Sequence, residues 1–464
     1  MAKKLSLFPH GTMIDGSGNL TLRGHRAAEL AARYGTPLYI YDVETIRHKI
    51  AMYRQVMVTY PGESRLTYAS KAFLCCALVQ LMIEEGVGLD VASAGEIFVA
   101  RYAGANPDEL HLHGNNKTPL DLKTALQARL GRIVVDNANE LELLTDMTAT
   151  QNQQTKVWLR VTPDVAVKTH HRYTVTGVAG SKFGFTPDQV ERIARPLLAG
   201  DGQSTLQLTG LHVHLGSHFA DDRPVVRAVD RLLDLAYSLR EKYSWRLREL
   251  CLGGGWGQRY HPSDRQMLIK PFVISLVKAV EAGCRSRGLP LPTIVLEPGR
   301  SLVAQAGVAL YTVGSRKVVP GVQTYVNIDG GLADNPRPAL YQAQYTALLA
   351  NRASEAETET VAVAGPFCES GDLLTQAVNL PEALPGDTLA VPVAGAYHLS
   401  MASNYNGALK PTVVFIDGDE ARVVQQRETF EDLVRRDKTD SYSWFAAGRC
   451  YTKKHTRTHC LSGD

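Results

Sequence analysis

Lys71 follows Thr67-Tyr-Ala-Ser and precedes Ala72-Phe-Leu, so an amine sits between two apolar runs. A lysine in an ordinary setting is a solvated surface charge. An apolar flank disfavours the ammonium and favours the free amine, a nucleophile toward a carbonyl. Glu297-Pro-Gly-Arg300 places a carboxylate, a turn and a cation within four residues, either as a structural ion pair or as charges offered to a ligand. Gly253-Gly-Gly-Trp-Gly257 either makes a plain turn or brings backbone N–H groups against a phosphate.

An imine-forming lysine, a phosphate cradle and a carboxylate are the parts that a pyridoxal phosphate site requires. A carboxylate opposite the pyridine nitrogen keeps that ring protonated and able to accept electrons from a substrate α-carbon. That favours loss of carbon dioxide over racemisation, so Glu297 argues against a racemase. His214, within His212-Val-His-Leu-Gly-Ser-His218, is placed to lie flat on such a ring, with Gly216 and Ser217 adding donors near the phosphate. His212 reads as core, because two histidines are too few for a metal site; no metal is expected. Gly365-Pro-Phe-Cys-Glu-Ser-Gly-Asp372 is either a surface turn or a loop offering Cys368 as proton donor and Glu369 as ligand for an ammonium. Asp334-Asn-Pro-Arg-Pro-Ala-Leu-Tyr341 offers Arg337 and Tyr341 to a carboxylate through arginine's planar fork. Gly395-Ala-Tyr397 is within reach of the phosphate.

These residues need a scaffold that gathers them. Eight short apolar runs begin at Leu66, Leu89, Leu110, Ile133, Val157, Leu211, Glu249 and Ile294, and read as strands. Helical periodicity at 73–85, 94–104, 119–129, 138–147, 187–198, 223–242 and 270–287 separates most of them. That alternation predicts a closed (β/α)8 barrel. Lys71, Asp90 with Glu96, Gly114-Asn-Asn, Asp136, Arg160, His214, Gly253 to Gly255 and Glu297 all fall at strand ends, on the rim where barrel active sites assemble. Beyond Arg300 the runs Val308–Val313, Thr324–Ile328, Thr360–Ala364, Thr388–Val391 and Thr412–Ile416 predict a second, mainly antiparallel β domain. The expected division is an N-terminal segment (1–40) joining that β domain, a barrel (41–305), the β domain (306–437) and a polar, flexible tail (438–464).

Fifty basic and 47 acidic residues in 464 leave a net charge of +3, no footprint for nucleic acid or an anionic membrane. Charge therefore argues for a small-molecule partner. No apolar stretch approaches the roughly 18 residues of a membrane span, and the start lacks a secretory signal, so a cytoplasmic location is expected. Seven cysteines without metal-ligand spacing read as reduced, mostly buried thiols.

From about Leu20 to Leu433 the sequence resembles the diaminopimelate decarboxylases, pyridoxal phosphate enzymes of fold type III. The resemblance rests on nine ordered motifs. They are Tyr68-Ala-Ser-Lys-Ala, Gly88-Leu-Asp-Val-Ala-Ser-Ala-Gly-Glu96, His113-Gly-Asn-Asn-Lys117, His214-Leu-Gly-Ser, Gly253-Gly-Gly-Trp-Gly, Glu297-Pro-Gly-Arg300, Asp334–Tyr341, Cys368-Glu-Ser-Gly-Asp372 and Gly395-Ala-Tyr397. It implies decarboxylation of meso-2,6-diaminopimelate at its D-centre to L-lysine and carbon dioxide, the last step of lysine biosynthesis. It also implies that Lys71 carries the cofactor, Glu297 meets its ring nitrogen and His214 stacks on the ring. Asp90, Glu96, Arg160 and Arg300 belong to the same cofactor set, while Gly253, Gly254, Gly255, Ser217 and Tyr397 surround the phosphate. Arg300, Arg337 and Tyr341, with Tyr397, hold the distal carboxylate and Glu369 the distal amine; Cys368 delivers the proton. In this family the cysteine loop comes from the neighbouring subunit, which implies a homodimer with shared sites. Decarboxylases for D-lysine, D-ornithine or another diamino acid are the alternative on this fold, and a non-catalytic cofactor carrier is disfavoured because Lys71 and Cys368 are both present. The family usually has Gln where this chain has His218, and it offers no counterpart to the tail.

Overall fold

The structure is a computed structural model that describes residues 2–167, 176–178, 180–199 and 204–438. Apart from Lys438, the expected polar tail lies outside the described residues.

After a one-turn helix, Ala2–Leu5, come three short strands, β1 (Thr12–Ile14), β2 (Leu20–Leu22) and β3 (His25–Arg26), which pair in a small antiparallel sheet. β4 (Leu38–Asp42) follows, then a helix over Val43–Met57. The next eight strands are β5 (Ser64–Ala69), β6 (Gly88–Val91), β7 (Leu110–Leu112), β8 (Arg132–Val135), β9 (Thr155–Arg160), β10 (Leu206–His212), β11 (Glu249–Cys251) and β12 (Thr293–Leu296). They close into a parallel barrel in chain order, β12 returning to β5. Strands buried on both faces need apolar residues on both, which is why β6 and β8 are buried throughout. Among the described residues seven helices alternate with these strands, close to the periodic segments of the sequence. The longest, Arg223–Tyr243, buries Val225, Ala228, Val229, Leu232, Leu235, Ala236 and Leu239, a stripe of three- and four-residue steps. After β12 there is only a one-turn helix, Arg300–Val303, and Val43–Met57 packs beside Ile269–Ser286, where the eighth helix of the ring belongs.

The rest of the chain supplies β13 (Gly307–Val319), β14 (Gln323–Ile328), β15 (Leu348–Leu349), β16 (Glu359–Ala364), β17 (Leu373–Leu380), β18 (Thr388–Val391), β19 (Thr412–Asp417) and β20 (Glu420–Gln425). With β4 inserted between β13 and β19 they form a nine-stranded sheet. The sheet is mixed: β4 with β19 and β14 with β16 run parallel, the other pairings antiparallel. Tyr39 and Tyr41 of β4 thus enter the β domain from far away in sequence. The domain closes over the barrel through Tyr397, whose N–H donates to the Ala72 carbonyl (2.8 Å), one residue past Lys71.

Inside the barrel Val134, Trp158, Cys251 and Val295 pack into a plug. Toward the amino-terminal ends of the strands, Glu249 accepts from Arg132 Nε (2.9 Å), Trp158 Nε1 (2.9 Å) and the Thr209 hydroxyl (2.8 Å). Burial works to raise the Glu249 carboxyl, but these donors outweigh it and hold it down at about 2. The folded pKa is depressed, so this stabilisation is complete above the unfolded value and is lost as pH falls toward 2. Glu249→Gln, which strands the Arg132 charge, is expected to lower unfolding free energy by about 3 kcal/mol at pH 7. Urea titrations should show the difference shrinking between pH 5 and 3; a constant difference would mean the charge pair is not its source.

Candidate active site

A cavity of about 620 Å³ opens where the carboxyl-terminal ends of the barrel strands meet the β domain. Lys71 enters it from a single 3-10 turn, Ser70–Ala72, directly after β5. Asp90, Arg160, His214, Ser217, Gly255, Glu297, Arg300, Arg337, Tyr341 and Tyr397 also line it. Residues from the end of the barrel and from the β domain, hundreds of positions apart, therefore share one space.

Glu297 forms the floor, 5% exposed. His113 Nε2 donates to one of its oxygens (3.0 Å) and His212 Nε2 to the other (3.1 Å), with His111 Nδ1 at 3.7 Å. Burial alone would raise this carboxyl, but the three imidazoles overcome it and hold Glu297 well below the usual carboxylate range. Burial holds His212 down at about 3, so it is neutral; His113, which also faces Asp90 at 3.7 Å, is raised by the two carboxylates against the pull of burial. His212 is thus no bystander of the core: it is buried because it orients Glu297. His111, His113 and Glu297, and His212, Cys251 and Glu297, converge closely enough to surround an ion. The His113 and His212 nitrogens among these are engaged by Glu297, and burial raises the Cys251 thiol far above its ordinary value.

His214 stands on the strand-end segment after β10. Its Nδ1 accepts the Gly254 N–H (3.3 Å), and burial together with Lys71 and Arg160 keeps the imidazole neutral. Gly254 is pinned: a Cβ there would lie 2.0 Å from the Glu297 carbonyl oxygen, and one on Gly255 2.0 Å from that of Gly216. Only glycine lets these loops press together and present backbone to the cavity. Gly255 borders the cavity, whereas Gly253 and Gly254 do not and act by packing. Glu96 is also outside; its carboxylate accepts the N–H of Ala92, a lining residue (2.6 Å), and so shapes the wall.

On the opposite side two guanidiniums converge. Arg300 Nη1 donates to the Tyr260 hydroxyl (2.6 Å) and Nη2 to Ser217 Oγ (3.1 Å), and its plane lies 4.5 Å from the Tyr397 ring centre. Arg337 opens the short helix Arg337–Tyr341, is 2% exposed and bonds the Tyr345 hydroxyl. Among the described residues neither guanidinium has a carboxylate within ion-pair distance, and Nε of each is buried without a partner. Tyr260, Tyr345 and His398 of this network, like His113, have no role that the sequence reveals; only His113 carries a signal there, at the head of His113-Gly-Asn-Asn-Lys117.

Cys368 and Glu369 are not among the residues of this cavity and are exposed on their own chain. Their loop is tied at its base by Asp372, which accepts the N–H groups of Phe367 (2.9 Å) and Leu332 (2.6 Å). His218 is one layer back, with a left-handed backbone (φ 65°) and its ring 5.5 Å from that of Tyr260.

The cavity fits pyridoxal phosphate. It offers an amine, a fixed carboxylate on its floor, a neutral aromatic ring beside both, and an anion-binding end where Ser217, the Gly255 backbone and Arg300 with its unpartnered Nε meet.

The family of pyridoxal-dependent decarboxylases, through its pyridoxal binding domain, matches residues 43–304. The diaminopimelate decarboxylase of Bacillus subtilis (strain 168) is 44% identical over 434 residues, covering 93% of this chain and 98% of that protein. A crystal structure of diaminopimelate decarboxylase from M. jannaschii in complex with L-lysine superposes with a TM-score of 0.86 at 30% identity, covering 93% of this chain and 98% of that one. The Helicobacter pylori diaminopimelate decarboxylase complexed with L-lysine gives 0.80 at 29% identity, covering 88% and 98%.

Proposed function

The chain belongs to the diaminopimelate decarboxylases, a branch of the pyridoxal-dependent decarboxylases, and from that premise we propose that it converts meso-2,6-diaminopimelate to L-lysine and carbon dioxide by decarboxylation at the D-centre. The observation that carries the substrate is the pair of buried guanidiniums without carboxylates, facing the same cavity as Lys71 and Glu297. A substrate with an amino acid at each end leaves one carboxylate for them while the other departs. A plain diamine end would leave the Arg337 charge buried and unmet, a cost large enough to discriminate.

Lys71, Asp90, Arg160, His214, Ser217, Gly255, Glu297 and Tyr397 would hold pyridoxal phosphate. When bound, the cofactor supplies a sink for the electron pair left by the departing carboxyl group. Glu297 would set a fixed negative charge against the heterocycle's nitrogen, and the imidazoles of His113 and His212 keep it from taking a proton itself. His214 excludes water from one side. Glu96 acts through the Ala92 wall, and Gly253 and Gly254 through close packing. Arg300, Arg337 and Tyr341 hold the surviving carboxylate, and Glu369 the distal ammonium.

One carboxylate leaves as carbon dioxide and one proton must arrive at the carbon it vacated. Cys368 is our candidate donor. Because Cys368 and Glu369 are exposed and apart from their own cavity, we place them at the cavity of a second copy of this chain, which makes the working unit a homodimer.

The test is incubation of the cofactor-loaded protein with meso-diaminopimelate, D-lysine and D-ornithine in parallel, with carbon dioxide and the amino product both quantified. Equimolar carbon dioxide and L-lysine from meso-diaminopimelate alone is the expected result. Faster turnover of either D-amino acid would overturn the substrate assignment.

A further inference from the structure

Arg337 owes its position to residues that never touch the cavity. Its Nη1 donates to the Tyr345 hydroxyl. Tyr345 Oη lies 2.8 Å from His398 Nε2, His398 Nδ1 lies 3.2 Å from the Tyr39 hydroxyl, and Tyr39 Oη lies 2.8 Å from Asp334 Oδ2. Tyr311 Oη reaches the same oxygen at 2.6 Å. Every member of this string is buried.

The protons along it can be placed by elimination. Asp334, as carboxylate, can only accept, so Tyr39 and Tyr311 both donate to it. The Tyr39 oxygen is then free to accept from His398 Nδ1–H, which leaves His398 Nε2 as an acceptor for the Tyr345 proton. Tyr345 therefore turns a lone pair to Arg337. This needs a neutral imidazole; burial, reinforced by Arg337 and Arg300, keeps the His398 ring uncharged.

A buried guanidinium is ordinarily held by a carboxylate, which would cancel the charge it presents. Here the holding atom is a neutral phenol oxygen, and the string's carboxylate, Asp334, is three hydrogen bonds further along. Tyr260 treats Arg300 the same way, and its ring centre is 4.7 Å from the Arg337 guanidinium. We propose that Tyr345 and His398 are specificity-determining positioning residues, which fix Arg337 without neutralising it and so make the site select ligands that carry a carboxylate at their far end. The proposal rests on the reading above that Arg337 meets the distal carboxylate.

L-Lysine and 1,5-diaminopentane separate the effects, since they differ by that carboxylate alone. Their inhibition constants, with KM and kcat for meso-diaminopimelate, are to be measured on the cofactor-loaded protein. Tyr345→Phe is expected to raise KM and the L-lysine constant about 10-fold, leaving the diaminopentane constant unchanged and kcat within about 2-fold. His398→Leu should behave alike. His398→Gln, whose amide oxygen can still accept from Tyr345, should restore L-lysine affinity to within about 3-fold. Arg337→Ala tests the underlying reading by itself, since it should abolish the preference for L-lysine over diaminopentane. If Arg337→Ala abolishes that preference while Tyr345→Phe leaves it intact or weakens both ligands equally, the positioning role is wrong and the carboxylate reading stands. If Arg337→Ala leaves the preference intact, both are overturned.

Discussion

Chains carrying Lys71→Ala and chains carrying Cys368→Ala are each expected to be nearly inactive, with turnover reduced by about 10³-fold or more, and to recover activity when unfolded and refolded together. Lys71 is inside the cavity of its own chain, and Cys368 is exposed and outside it. If each cavity takes its cysteine from a second copy, a mixed dimer has one cavity lacking both groups and one with both intact. Random re-association makes half the dimers mixed, so about a quarter of wild-type turnover should return. The assay is carbon dioxide release against the proportion of the two chains, which should trace a curve peaking at equal amounts. A mixture no better than its parents would place Cys368 at its own chain's cavity, or outside the reaction altogether.

Glu297→Gln is expected to reduce turnover by about 10²- to 10³-fold, the range seen when a fixed electrostatic partner of a developing charge is removed. The side chain keeps its size and one acceptor oxygen, and neutral His212 can change tautomer to meet the new amide N–H, so the fold should survive. What is lost is the negative charge. The loss also has a signature that does not depend on turnover. His113 is held above its ordinary value by Asp90 and Glu297, so removing one carboxylate must move its titration to lower pH. Ring-proton NMR of the cofactor-free protein reads this directly. A variant with turnover within 10-fold of the parent, or an unmoved His113, would remove Glu297 from the centre of the site.

Much of this site is legible along the chain because a barrel puts its chemistry at a periodic address. Each short strand ends on the same rim, so Lys71, Asp90, Arg160, His214 and Glu297 are brought together by strand order alone. The motif sets added Arg300, Arg337, Tyr341 and Tyr397, all of which line the cavity. His212 shows where such reading fails. An apolar strand with a histidine in it looks like core, and its burial is indeed complete; that its ring serves Glu297 depends on β10 and β12 being two strands apart around a closed barrel.

Hydrophobic period, glycine placement and strand length are local properties written residue by residue, so the barrel, the β-rich second half and the polar groups on the rim can all be read along the chain. The partners of those groups emerge only when the chain folds. The insertion of β4 between β13 and β19 brings Tyr39 to Asp334 and His398, and Val43–Met57 fills the ring position left by the missing eighth helix. Such pairings join residues up to several hundred positions apart. They are fixed by how sheets close and domains pack, a global balance of buried surface and satisfied hydrogen bonds that no short window of residues contains.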